Sequence, residues 1–307
     1  MNGMNRRGFL GMAAATAAAT AAADCCTAGK CCARKGRILF GACRGPGDTA
    51  LLKKIGYDFF EWNAASAMMP EKSEAEWAKR RDEILGAALP LRSCNGFLPG
   101  KFRLTGPNAS WDEALDYAET VCRRGDILGV KTIVFGSSGA RNVPGDLYAK
   151  NKEDRPNTEK GVEQYTEFCR LLCRRIADCK VTIVIEPLRP NESNIINFVW
   201  QGLQIVEDVG SPRLQQLADI FHMICGRESA CSLIKAGDRL KHCHIAAKET
   251  RQFPGSNDTD FSSYFNALNK IGYTGGVSCE CGWGDKADLE KNLTTALATL
   301  KKFAGQA

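Results

Sequence analysis

The chain has 307 residues, 44% of them hydrophobic and 25% charged, an ordinary globular composition long enough for one (β/α)8 barrel of about 250 residues. Formal net charge is +6, and part of the excess (Arg6, Arg7, Lys30, Arg34, Lys35, Arg37) lies near the N-terminus. The remainder is close to balance, which on charge grounds excludes a nucleic-acid binder.

Residues 1–23 read as a twin-arginine signal peptide. Arg6 and Arg7 precede Phe9 and Leu10, and a weakly apolar Ala/Thr run over residues 13–23 ends in small residues of the A-x-A kind. The run is too poor in large apolar residues to span a bilayer. The expectation is cleavage near Ala23, export to the periplasm, and no stable membrane insertion afterwards. Cys25 and Cys26 offer lipoprotein anchoring as an alternative, which Asp24 disfavours. Residues 24–36 read as a linker, and residues 37–307 as the folded domain.

The chain holds fifteen cysteines, four of them (Cys25, Cys26, Cys31, Cys32) in the linker. No paired CxxC arrangement exists, which argues against a structural zinc site. A twin-arginine substrate folds in a reducing cytosol, so these thiols are expected to be free and packed as small hydrophobes.

Beyond residue 36, short apolar runs alternate with stretches of helical spacing. Strands are predicted over residues 37–43, 57–63, 91–97, 131–136, 181–187, 214–220, 240–246 and 276–281. Helices are predicted over 74–87, 111–128, 158–178, 261–271 and 286–303. Ser110 stands where an N-cap would, Glu113 follows at the capping-box spacing, and Asp112 adds charge to the first turn. Eight strand-then-helix units with no glycine-rich phosphate loop predict a single-domain α/β fold, the (β/α)8 or TIM barrel, rather than a doubly wound sheet. In such a barrel the chemistry lies at the C-terminal ends of the strands.

The last four predicted strands each end in a candidate metal ligand. In VTIVIEPL, alternation puts Thr182, Val184 and Glu186 on one face. LQQLADIFHM places Asp219 late in strand six, with His222 just past it. In LKHCHIA, His242 and His244 share a face and His244 is nearer the top; in GGVSCECG the one acid is Glu280. The three histidines of the chain all fall in this region, and a carboxylate pointing into a barrel is costly unless paired or coordinated. Glu186, Asp219, His244 and Glu280 therefore read as a divalent-metal site. Three carboxylates and one imidazole suit Mn2+ best, with Mg2+, Co2+ or Zn2+ as alternatives. Cys243, Cys279 and Cys281 alternate with these groups and should face away. Glu61, in FFEWN at the end of strand two, is a candidate to bind a sugar hydroxyl, with a structural ion pair as its alternative. Trp62 reads as core packing or a stacking platform.

The segments IEPLRPNE, VGSPRLQQLADIFHM, LKHCHIA and IGYTGGVSCE resemble the xylose-isomerase-like barrel superfamily, and within it the ketose 3-epimerases and hydroxypyruvate isomerase. The motifs cover roughly the C-terminal half; the N-terminal half matches in strand–helix rhythm. The resemblance implies that Glu186, Asp219, His244 and Glu280 hold the metal, and that Glu186 and Glu280 double as the acid/base pair. It also implies substrate contacts from Glu192, His222 and Arg251, the last about one residue further along than the pattern.

These groups suit proton abstraction α to a carbonyl, with a divalent cation stabilising the enediolate. Return of the proton to the opposite face epimerises; transfer to the neighbouring carbon isomerises. The leading expectation is an exported sugar isomerase or epimerase. The alternatives are a lyase or hydrolase acting on 3-keto-glycosides, which export favours, and a non-catalytic carbohydrate-binding barrel, which would predict a lost ligand. A repair endonuclease would need a histidine-rich multi-metal site, and three histidines are too few. The expected partner is a small-molecule sugar or keto-glycoside, with a homo-oligomer left open.

Overall fold

A computed structural model describes residues 37–306. The expected signal peptide and linker, residues 1–36, and the cysteines within them fall outside the described residues.

Eight parallel strands close into a barrel in sequence order, with the first hydrogen-bonded to the last. They are β1 (Leu39–Cys43), β2 (Phe59–Asn63), β3 (Leu91–Asn95), β4 (Thr132–Phe135), β5 (Thr182–Ile185), β6 (Leu214–Asp219), β7 (Leu240–Ile245) and β8 (Gly276–Cys279). Each lies inside the run predicted for it. The strands are short and rich in Val, Ile, Phe and Cys, because both faces of a parallel barrel are covered.

The outer helices bury one stripe each. Thr158–Arg175 turns Tyr165, Phe168, Cys169 and Leu172 inward, and Leu289–Ala304 turns Leu293, Ala296, Leu297 and Leu300 inward. Both sets follow the three-and-four spacing of an amphipathic helix. Burial of each large side chain of this kind stabilises the fold by about 1.5–3 kcal/mol. Glu74–Leu85, Asp112–Ile127 and Ser262–Lys270 match the other predicted helices, with ends drawn in by one or two residues.

The cap expected at Ser110 does not form. Its amide donates to the Arg103 carbonyl in a short antiparallel bridge, and the helix starts after Trp111, so Glu113 falls one residue short of the capping-box position. Asp112 and Glu113 still supply negative charge to the first turn. The eleven described cysteines are all free, and seven of them, Cys243 and Cys279 among these, are buried in the apolar core.

Inside the barrel, Val134, Val184 and Leu217 form a small apolar cluster. Alternation along each strand places Val184 two residues below Glu186 and Leu217 two residues below Asp219. A register shift between Gln216 and Leu217 aligns Leu217 with His242 and Asp219 with His244. Strand twist and one bulge thus bring ligand-type side chains from neighbouring strands to the same height.

Candidate metal centre

Glu186, Asp219, His244 and Glu280 converge at the C-terminal end of the barrel, with one donor atom from each lying within 4.8 Å of the others. Glu186 directly follows β5, Asp219 closes β6, His244 lies in β7, and Glu280 directly follows β8. Glu186, Asp219 and His244 are buried, and Glu280 keeps partial access to the mouth.

His244 is the hub. Its Nδ1 is 3.1 Å from Glu186 and 3.5 Å from Glu280. Burial works against a charged imidazole, but Glu61, Glu280 and Glu186 outweigh it and hold the His244 pKa well above its ordinary value. Burial also pushes up the Glu280 carboxyl; His244 and Arg251 oppose this, while Glu186 and Asp219 add to it. Three carboxylates crowded onto one imidazole, out of water, need a further positive charge. A hard divalent cation fits that donor set.

Asp219 serves two purposes. One oxygen caps the following helix, accepting from the Phe221 and His222 amides at 2.8 and 3.4 Å. The other faces His222 Nε2 at 3.4 Å and Arg251 at 3.9 Å. His222 is buried, and neither ring nitrogen makes a hydrogen bond within the chain. A buried imidazole of this kind is ready for a ligand's hydroxyl.

Glu192 comes back over the mouth on the loop after β5, held by Arg189 at 2.7 Å and Arg251 at 3.2 Å. Arg251 adopts a left-handed backbone (φ 52°) and also reaches Glu280 at 2.8 Å, its guanidinium lying over the Phe221 ring. Glu192, His222 and Arg251 therefore border the same cluster.

Glu61 belongs elsewhere. It is fully buried, with one oxygen 2.7 Å from His242 Nε2 and the other 2.8 Å from His244 Nε2. Both oxygens are engaged by imidazoles, so of the two roles expected for Glu61, sugar-hydroxyl contact and structural ion pair, the structure shows the ion pair. Trp62 carries the Arg80 guanidinium over its ring.

Two positioning residues escaped the sequence. Asn95, the last residue of β3, donates to Glu280 Oε1 at 2.9 Å. Its place at a strand end was the available signal. Arg141 is entirely buried and donates to the Glu186 carbonyl at 2.8 Å and to the Phe135 and Ile196 carbonyls at 3.3 Å, clamping the turn that carries Glu186. No local pattern marks it.

Residues 49–303 match the family model described as the xylose isomerase-like TIM barrel. The chain belongs to that family. Among its relatives is an L-ribulose 3-epimerase from Mesorhizobium japonicum (strain LMG 29417 / CECT 9101 / MAFF 303099), 31% identical over 254 residues, covering 80% of this chain and 78% of that protein. An L-ribulose 3-epimerase from Methylomonas sp. (strain DH-1) is 27% identical over 184 residues, 57% of this chain, and that match spans 62% of the relative's length. The fold superposes on D-psicose 3-epimerase with D-tagatose from Clostridium cellulolyticum H10 with a TM-score of 0.74 at 19% identity, covering 87% of this chain and 99% of that one. It superposes on 3-keto-D-glucoside 4-epimerase from E. coli with a TM-score of 0.70 at 19% identity, covering 87% and 100%. The relatives at about 30% identity are ketose 3-epimerases, enzymes of the isomerase class. Among the described residues of this family member, no helix is long and apolar enough to cross a membrane.

Proposed function

We propose that this protein is a divalent-metal-dependent sugar epimerase or isomerase that removes a proton α to a carbonyl. The observation that carries the reading is the convergence of Glu186 and Glu280 on one ring nitrogen of His244, beside a buried His222 whose ring nitrogens make no hydrogen bond within the chain. The ketose 3-epimerase relatives support it.

Glu186, Asp219, His244 and Glu280 would hold the cation, Mn2+ by the hardness of the donor set. When bound, it supplies Lewis-acid stabilisation of negative charge on the substrate oxygens. The remaining work falls to side chains. One of the two glutamates takes the proton from carbon, the C–H pair moves into the carbon framework, and the carbonyl becomes an enediolate. The other glutamate, carrying a proton, returns it to the opposite face. His222 offers a ring nitrogen to a substrate hydroxyl, and Arg251 and Glu192 close the open side of the site.

The test is solvent exchange. Incubation with Mn2+ and a panel of free ketoses in D2O should place deuterium on the carbon next to the carbonyl. Glu186→Gln and Glu280→Gln should each abolish it. Tight metal binding without exchange on any sugar would overturn the catalytic reading. A second reading, elimination from 3-keto-glycosides, is favoured by the paired arginines of the N-terminal signal, which suit an exported enzyme. Release of the aglycone rather than an epimer would select it.

A further inference from the structure

Beneath the four candidate ligands lies a second, closed group of titratable side chains. Glu61, His242 and His244 have donor atoms within 4.8 Å of one another, and all three are buried. The arrangement is not a second metal site. Both Glu61 oxygens already lie at hydrogen-bond distance from imidazole nitrogens, 2.7 Å to His242 and 2.8 Å to His244, so the three side chains satisfy one another without an ion.

The chemistry of the group constrains the two rings. An ionised carboxylate only accepts, so each Nε2 that touches Glu61 must carry a hydrogen. For His244 this leaves Nδ1, the nitrogen facing Glu186 and Glu280, to present its lone pair to a cation. His242 does not reach the cluster; it occupies the other carboxylate oxygen. It also packs against Phe59 and meets the His244 ring edge-on at 5.2 Å between centroids. Glu61 itself is pinned by β2, whose residue Glu61 pairs with Cys43 on β1 and Ser93 on β3.

We propose that Glu61 is a positioning residue that fixes the tautomer and ring orientation of His244 for metal binding, with His242 filling the second oxygen to hold the carboxylate in place. The inference rests on the reading of Glu186, Asp219, His244 and Glu280 as a metal site, and goes beyond it in assigning work to a residue that touches neither metal nor sugar. Partners of this kind, one bond removed from a metal, set ligand basicity and typically change metal affinity by about ten- to a hundredfold.

The whole chain is tested with metal alone. Histidine 15N NMR is tractable because the chain holds three histidines. In the wild-type protein loaded with diamagnetic Zn2+, His244 should show a protonated Nε2 and a metal-bound Nδ1. Mn2+ binding, read by the paramagnetic signal of free Mn2+, should weaken about ten- to a hundredfold in Glu61→Gln. One amide can accept from only one of the two Nε2 hydrogens, so one ring must change tautomer. His242→Gln should weaken binding less than Glu61→Gln. An unprotonated Nε2 on His244 in the loaded wild-type protein overturns the proposal without any variant being made. Unchanged Mn2+ affinity in a folded Glu61→Leu, which can accept from neither ring, overturns it as well. Failure of the wild-type protein to bind any divalent cation would instead sink the metal-site reading, and this inference with it. Absence of sugar turnover with normal metal binding and the expected tautomer would count against the catalytic reading and leave this proposal supported.

Discussion

Arg251 lies 2.8 Å from Glu280, so a guanidinium and a divalent cation would draw on the same carboxylate. The same side chain reaches Glu192 at 3.2 Å and Asp219 at 3.9 Å, and these acids, Asp219 foremost, hold its pKa above the usual value against the effect of burial. Arg251 therefore offsets part of the negative charge that would otherwise attract metal. Its removal should tighten binding of the bare cation while impairing turnover. The expected result for Arg251→Ala is about tenfold tighter Mn2+ binding, the scale of one added charge contact in a partly solvated site, with a lower kcat/KM. Weaker Mn2+ binding by calorimetry would show that Arg251 orients the ligands rather than competing with the ion.

Metal affinity should also depend on pH. His244 has its pKa raised, burial being outweighed by Glu61, Glu280 and Glu186. A raised pKa means the proton stays on as pH climbs past the ordinary histidine value of about 6.5. That proton competes with the cation for the ring. Affinity should therefore be weak in acid and tighten as pH rises, with roughly one proton released per cation near neutrality. Protonated His244 likewise stabilises the metal-free fold below about pH 6.5. That contribution is lost as pH rises through the folded-state value. Calorimetric titrations in buffers of different ionisation heat measure the released proton; a pH-independent affinity would contradict the assignment.

The convergence of Glu186, Asp219, His244 and Glu280 was legible because it depends on two local rules. Strand alternation sets which face a side chain takes, and the ends of barrel strands set the height. Both can be read along one strand at a time. The role of Glu61 was not legible, because it depends on a contact between β2 and β7 across the barrel interior. Its place at a strand end suggested the mouth, whereas its carboxylate is turned to the Nε2 atoms of His242 and His244. Arg141 was hidden for a similar reason: its partners, Phe135, Glu186 and Ile196, come from the ends and loops of two different strands. Ser110 failed as a cap because a backbone bridge to Arg103, another nonlocal choice, claimed it first.

Replacement of His222 tests whether substrate recognition can be separated from metal binding. It is buried, its ring nitrogens have no hydrogen bond within the chain, and its nearest acid is Asp219 at 3.4 Å. Replacement by Leu keeps the volume apolar and removes both nitrogens. Loss of a hydrogen bond to a buried group costs about 1–3 kcal/mol. His222→Leu should therefore lower kcat/KM about ten- to a hundredfold on any sugar that the wild type turns over, with Mn2+ affinity changed by less than about threefold. A comparable loss in metal affinity would make His222 part of the metal shell instead.

Gly136 tests whether the position of Glu186 matters more than its presence. Gly136 directly follows β4, and a methyl group on it would collide with the Glu186 carboxylate. The obstructed atoms are the far end of a flexible side chain, not backbone. The carboxylate should swing aside while the barrel, clamped at the Glu186 carbonyl by Arg141, stays intact. Gly136→Ala should therefore keep the wild-type circular dichroism spectrum and melt within a few degrees of it, a shift of about 1 kcal/mol or less for a domain of this size. It should nonetheless bind Mn2+ at least about tenfold more weakly, the effect expected when a ligand loses its orientation. Retained affinity would mean that Glu186 can reach the metal from a second rotamer, and a collapsed melting temperature would mean that the crowding is relieved through the backbone instead.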